Sequence, residues 1–166
     1  MFDISQTEGE PLPDLETAAT GNAAELVPAL LKTASELSID VDIVSPAAWS
    51  HGEAKGVCTY AAGETERANV EVHDRENRAD LAVTIIHEYA HAELHGGIDE
   101  RANRAKRELE AEAVAAIIGR HFGLDTSGSE FYLAAWHGED PEAILDRLDR
   151  ISRTTATLIE AVDVTK

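Results

Sequence analysis

The spacing of apolar residues changes period several times along the chain, and each change marks a predicted element. Leu26, Leu30, Ala34 and Leu37 recur at steps of three and four, which predicts a helix over residues 22–37. Pro28 lies inside this run, so the helix starts near it or is kinked there. VDIV, residues 41–44, is a short strand candidate closed by Ser45-Pro46. GVCTYA (56–61) and ANVEVH (68–73) are rich in β-branched and aromatic residues and predict an antiparallel pair. Polar residues 77–80 then open a helical pattern over 81–95, stopped by Gly96-Gly97. A second long helix is expected over 99–122, ending at Gly123, and a short serine-capped one over 129–136. The last helix starts at Asp140-Pro141. Its stripe of Ile144, Leu148, Ile151, Leu158 and Val162, with Thr155 in the seam, is core packing. The expected class is α+β, mainly helical, with a small antiparallel sheet.

Length and composition bound this picture. The 166 residues suit one domain, expected over 17–166, after a loose acidic tail over 1–16 that contains Pro11 and Pro13. The single cysteine, Cys58, excludes an internal disulfide and fits a reducing setting. Acidic residues number 32 against 14 basic ones, for a net charge of -18. Only Lys32, Lys55, Lys106 and Lys166 are lysines. Such a balance fits either a surface adapted to high salt or an acidic protein with a basic partner. The even spread of the acids along the chain favours the first and suggests a haloarchaeal source. Direct binding to duplex DNA is disfavoured, because phosphate contacts dominate such affinity. A local basic patch over 101–107 softens that exclusion without reversing it. No run approaches the roughly 18 apolar residues of a membrane span, and the first residues have no hydrophobic signal core. A cytoplasmic protein is expected.

The candidate chemistry lies in the helix over 81–95. His87-Glu88-Tyr89-Ala90-His91 is an HExxH sequence. Helical residues four apart share a face, roughly 6 Å apart, so two imidazoles there can bind one zinc ion. Glu88, one residue along, flanks the metal and can take a proton from a zinc-bound water. Ile85 and Ile86 would bury the helix and leave the histidines on a cleft floor. Two surface histidines on an amphipathic helix are the plain alternative.

Zinc needs a third protein ligand. His95 lies about 12 Å along the axis from His87, too far for one ion to take all three histidines from a straight helix. It is expected instead to line the cleft or cap the helix end. The astacin-like extension is absent, since Leu94 and Gly97 stand at its positions. The next helix carries RELEAEAVA over 107–115. Glu108 and Glu112 share a face, and Glu110 points to the other side. Two antiparallel helices would bring Glu108 to the histidines, with Glu112 orienting a histidine N–H from behind. Glu110 and Glu112 stand as alternative ligands. Ala111, Ala113, Ala115 and Ala116 allow the close approach that this needs.

TIIHEYAHAELH, RELEAEAVA and GLDTSGSEFYLAAW, in that order, resemble the ImmA/IrrE-type zincin-like metallopeptidases. The resemblance covers residues 56–162 and is nearest the branch related to the C-terminal domain of ArdC antirestriction proteins. It implies a zincin-like fold in which His87, His91 and Glu108 bind zinc and Glu88 is catalytic. It further implies an intracellular endopeptidase of narrow specificity acting on a protein or peptide, in some members a helix-turn-helix repressor. ArdC-like relatives also carry a single-strand DNA-binding domain, for which this length leaves no room. Oxyanion candidates are Tyr60, Tyr89, Tyr132, His95 and His137, with Tyr132 or Tyr60 preferred. The strand over 68–73 is expected to bind an extended substrate by strand addition. The competing role is a non-catalytic, zinc-stabilised interaction module in a mobile-element, antirestriction or toxin–antitoxin system. An intact Glu88 counts against it, because a purely structural site has no use for that residue.

Overall fold

A computed structural model describes residues 18–60, 67–96, 104–127 and 140–165. The described elements are α1 (Leu26–Thr33), β1 (Ile39–Val44), β2 (Gly56–Tyr60), β3 (Ala68–His73), α2 (Arg78–His95), α3 (Arg104–His121) and α4 (Pro141–Thr165). The architecture is α+β: four helices and one three-stranded sheet. The tail over 1–16 and the short helix expected over 129–136 lie outside the described residues.

Pro28 does not kink α1. It is the third residue of the helix, where an N–H would find no acceptor within the helix. The chain turns after α1 through Ser38, in a left-handed conformation (φ 56°). The Ile39 amide then donates to the Ala34 carbonyl at 2.9 Å, and β1 begins. α3 ends at Gly123, whose φ of 84° lets the Leu124 amide reach back to the Gly119 carbonyl at 2.9 Å.

The sheet has the order β1-β3-β2 and is mixed, not antiparallel throughout. β2 and β3 form the expected antiparallel pair, with Gly56 opposite Val72 and Tyr60 opposite Ala68. β1 runs parallel to β3 on its other side, from Ile39 opposite Ala68 to Val44 opposite His73. Val70 and Val72 of β3 are fully buried, and a buried strand must pair its backbone on both edges. β1 satisfies the second edge. β3 is therefore the central strand and has no edge to offer a substrate, contrary to the expectation for residues 68–73. β2 occupies the opposite side of β3 from β1.

α2 packs under β2 and β3 and is itself in contact with α1, α3 and α4. Asn77 caps it, accepting from the Asp80 amide at 3.0 Å, while its own amide donates to the Ala19 carbonyl. Asp80 in the first turn receives Lys55 at 3.0 Å and Arg75 at 2.7 Å. These two cations come from the residue before β2 and the loop after β3, so the ion cluster sets the helix against the sheet. One buried apolar cluster runs from Ala19 to Val162 and includes Ile85, Ile86, Tyr89, Val114 and Ile118. In α4 only the C-terminal part of the predicted stripe is buried: Ile151, Thr155, Leu158 and Val162 are inside, and Leu148 is exposed. No described helix is long and apolar enough to cross a membrane.

The net charge of -18 works against this compaction. Raising potassium chloride from about 0.1 to about 2 M shortens the Debye length from ~10 Å to under ~3 Å. The thermal midpoint is expected to rise by at least about 5 °C over this range. Equal midpoints at both salt concentrations would count against adaptation to high salt.

Candidate metal centre

The middle of α2 is pinned by Ile85, Ile86, Tyr89 and Ala90, all buried. This leaves His87, Glu88 and His91 on the side that meets α3 and the edge of β2. α3 approaches closely because Ala111, Ala113 and Ala115 are buried along it. The two helices run antiparallel: Glu112 faces His87, and Glu108, one turn earlier, reaches both His87 and His91.

Three potential ligand atoms converge. His87 Nε2 and His91 Nε2 are 3.1 Å apart. Glu108 Oε2 lies 3.3 Å from His87 Nε2, and its Oε1 lies 3.5 Å from His91 Nε2. Ligands at about 2.05 Å from a tetrahedral ion are about 3.3 Å apart along each edge. The His87–His91 spacing is close to that edge, each imidazole has one Glu108 oxygen within 3.5 Å, and among the described residues these three side chains could hold a metal ion. The donor set of two imidazoles and a carboxylate suits zinc and several other divalent ions.

The surroundings are strongly acidic. Burial lowers the affinity of His87 for a proton, but hydrogen bonds to Glu108 and Glu112 and the charge of Glu88 outweigh this, raising its pKa to about 9. His91 is shifted down by burial and by the neighbouring His87 and His95, against the pull of Glu108. The hydrogen bonds from His87 and His91 hold Glu108 far below the usual carboxylate range. Glu88 is buried, which pushes its carboxyl up to about 7. Glu112 Oε2 sits 3.3 Å from His87 Nδ1, the place expected for a group that orients this ring from behind.

Other predicted residues take different positions. Glu110 is buried on the opposite side of α3 from Glu108 and is not a third ligand. Its Oε2 lies 2.8 Å from His95 Nε2. His95, also expected to support the ligands from behind, is buried and neither lines the cleft nor caps a helix-end carbonyl; its ring faces Glu110 and, at 3.0 Å, Nδ1 of His91. Tyr89 is excluded as an oxyanion donor, because its buried hydroxyl donates to the Leu30 carbonyl at 2.8 Å. Tyr60 lines the cleft, and its hydroxyl donates to the His91 carbonyl at 2.6 Å. Tyr132 and His137 lie outside the described residues.

The cleft over these groups has a volume of about 680 Å³. β2 forms one wall, α2 the floor, and Arg104, Arg107, Glu108 and Glu112 of α3 the other wall. Gly56 is a site residue that the sequence reading missed. A Cβ there would lie 2.7 Å from Glu88 Oε1 and 2.8 Å from Glu88 Cγ. The absent side chain is the space that Glu88 occupies. A glycine opening a predicted strand is the available signal for such a close approach.

No known protein-family model matches the chain, and no solved structure matches it. A stretch of 100 residues, 58% of the chain, is 30% identical to the uncharacterized protein pXO2-81 of Bacillus anthracis. The match spans 17% of that protein's length.

Proposed function

We propose that the protein is a zinc-dependent endopeptidase of the zincin-like, ImmA/IrrE type. The supporting observation is the convergence of His87, His91 and Glu108 within metal-binding distance, with the buried carboxyl of Glu88 next to them. His87, His91 and Glu108 would hold the ion, which would supply Lewis acidity and make water a stronger acid. Glu88 takes up the proton of the attacking water and delivers it to the leaving amine. A carboxyl pushed up to about 7 is suited to both transfers near neutral pH. Tyr60 lines the cleft but already donates its one hydroxyl proton to the His91 carbonyl, so it would have to give up that bond to serve a developing oxyanion. The resemblance of three motifs to this family supports a helix-turn-helix repressor as the substrate.

The test is cleavage of a diverse peptide library, and of a neighbouring helix-turn-helix protein where one is encoded. The zinc-loaded protein is expected to cut a narrow set of sequences. A chelator should abolish the cuts, and added zinc should restore them. A zinc-loaded protein that captures a partner and cuts nothing would instead be the non-catalytic module.

Gly56 supplies a separate prediction. In Gly56→Ala the new methyl displaces the Glu88 carboxylate, while the three ligands keep their places. Zinc affinity is expected to stay within about threefold, with kcat/KM falling about 10²-fold, as for a catalytic group misplaced by about 1 Å. Parallel zinc titration and peptide hydrolysis check this, and unchanged hydrolysis would remove Gly56 from the site.

A further inference from the structure

His95 is 1% exposed, yet both of its ring nitrogens face polar atoms. Nε2 lies 2.8 Å from Glu110 Oε2, and Nδ1 lies 3.0 Å from Nδ1 of His91. A carboxylate only accepts, so the proton in the first contact is on His95 Nε2. When the ring carries that one proton, Nδ1 is an acceptor. Two nitrogens 3.0 Å apart share one proton, so His91 must donate from its Nδ1. This leaves the lone pair of His91 on Nε2, the atom that faces His87 and Glu108. A carboxylate two contacts away thus selects the tautomer in which His91 can bind metal.

Glu110 is itself held from the fourth helix. It is 3% exposed and needs a charge partner. Nη1 of Arg150 lies 3.4 Å from its Oε1. Nη2 of the same guanidinium donates to the Leu94 carbonyl at 3.1 Å, satisfying an acceptor in the last turn of α2. One side chain of α4 therefore fixes both Glu110 and the helix end that carries His95.

We propose that the buried pair His95 and Glu110, backed by the half-exposed Arg150, forms a positioning relay that locks His91 in its metal-binding tautomer and links metal affinity to the docking of α4. The proposal rests on the reading of His87, His91 and Glu108 as metal ligands. It makes Arg150, distant in sequence and carrying no motif, a determinant of the site.

The linkage is reciprocal: if a docked α4 tightens the site, a bound ion must tighten α4. Zinc dissociation constants would be measured by chelator competition for the full chain and its variants. His95→Leu is expected to weaken binding by about 10- to 100-fold, and Glu110→Gln by about tenfold. His95→Gln should recover most of the loss, since its amide can accept from His91 and donate to Glu110. Arg150→Met should weaken binding by about threefold or more. It should also abolish the zinc-dependent slowing of amide exchange in α4 that is expected of the parent protein. Arg153→Ala, on the exposed Arg153–Asp149 pair, serves as the unaffected control. If His95→Leu fails to fold, the isosteric Glu110→Gln and Arg150→Met carry the test alone. A parent protein that binds zinc, with Glu110→Gln and Arg150→Met within twofold of it, overturns the relay and leaves the metal reading standing. A parent protein that binds no zinc overturns both.

Discussion

Replacing Glu88 by glutamine is expected to leave a folded, zinc-loaded protein with kcat/KM lower by about 10³-fold, within the range that general acid–base catalysis contributes. The substitution preserves shape, so it keeps the close approach to Gly56. It removes only the ability to take up and return a proton. Zinc affinity should hardly change, because Glu88 is not among the converging ligand atoms. The pH profile sharpens the test. Glu88 must be unprotonated to act as a base, so activity falls as pH falls through its pKa. Burial pushes that value from 4.5 up to about 7, and a bound cation opposes the shift. The acid limb should therefore lie between those two values and disappear from the residual activity of Glu88→Gln. A glutamine variant that hydrolyses peptides at the parent rate would show that Glu88 is not the base.

His87→Ala is expected to weaken zinc binding by well over about 10²-fold, since even loss of a group behind a ligand costs 10- to 100-fold. His87 offers one of three potential ligand atoms and is also the cationic partner of the acidic cluster in the metal-free protein. Its pKa there is raised from 6.5 to about 9. A raised pKa stabilises the fold fully below the unfolded value and loses that contribution as pH rises through the folded one. Metal-free His87→Ala should thus be less stable than the metal-free parent below about pH 6.5. The difference should shrink steadily towards pH 9. Metal analysis and denaturant unfolding at several pH values check both halves. Full zinc occupancy in His87→Ala would sink the site assignment.

How far the site was legible depended on whether one helix or several had to be known. His87, Glu88 and His91 follow from the fixed turn of a single helix. Glu108 needs only one further assumption, that the next helix returns antiparallel, and the alanines around it supplied that. Glu110 shows the limit. Its direction, away from Glu108, was readable from helical spacing, whereas its burial against His95 and Arg150 depends on how α2, α3 and α4 pack together. Arg150 sits in a polar stretch of α4 with nothing local to distinguish it. The sheet divides in the same way. Alternation in residues 68–73 marked β3 and its hairpin partner, but strand direction and order are properties of the assembled sheet. The parallel pairing of β1, and with it the central place of β3, had no local signature.

The division of ligands between two helices also has a consequence in time. β2, β3 and α2 are consecutive, so the sheet wall, the base and both histidines can form from one contiguous stretch. The carboxylate arrives later, on α3, and the guanidinium behind the relay later still, on α4. During synthesis from the N-terminus, the early stretch is complete while the rest of the chain is still being made. A growing chain would then present only a two-histidine half-site, and tight capture of an ion would wait for α3 and α4 to dock. Metal acquisition would come at the end of folding, so a chain that has not finished folding would carry no hydrolytic centre.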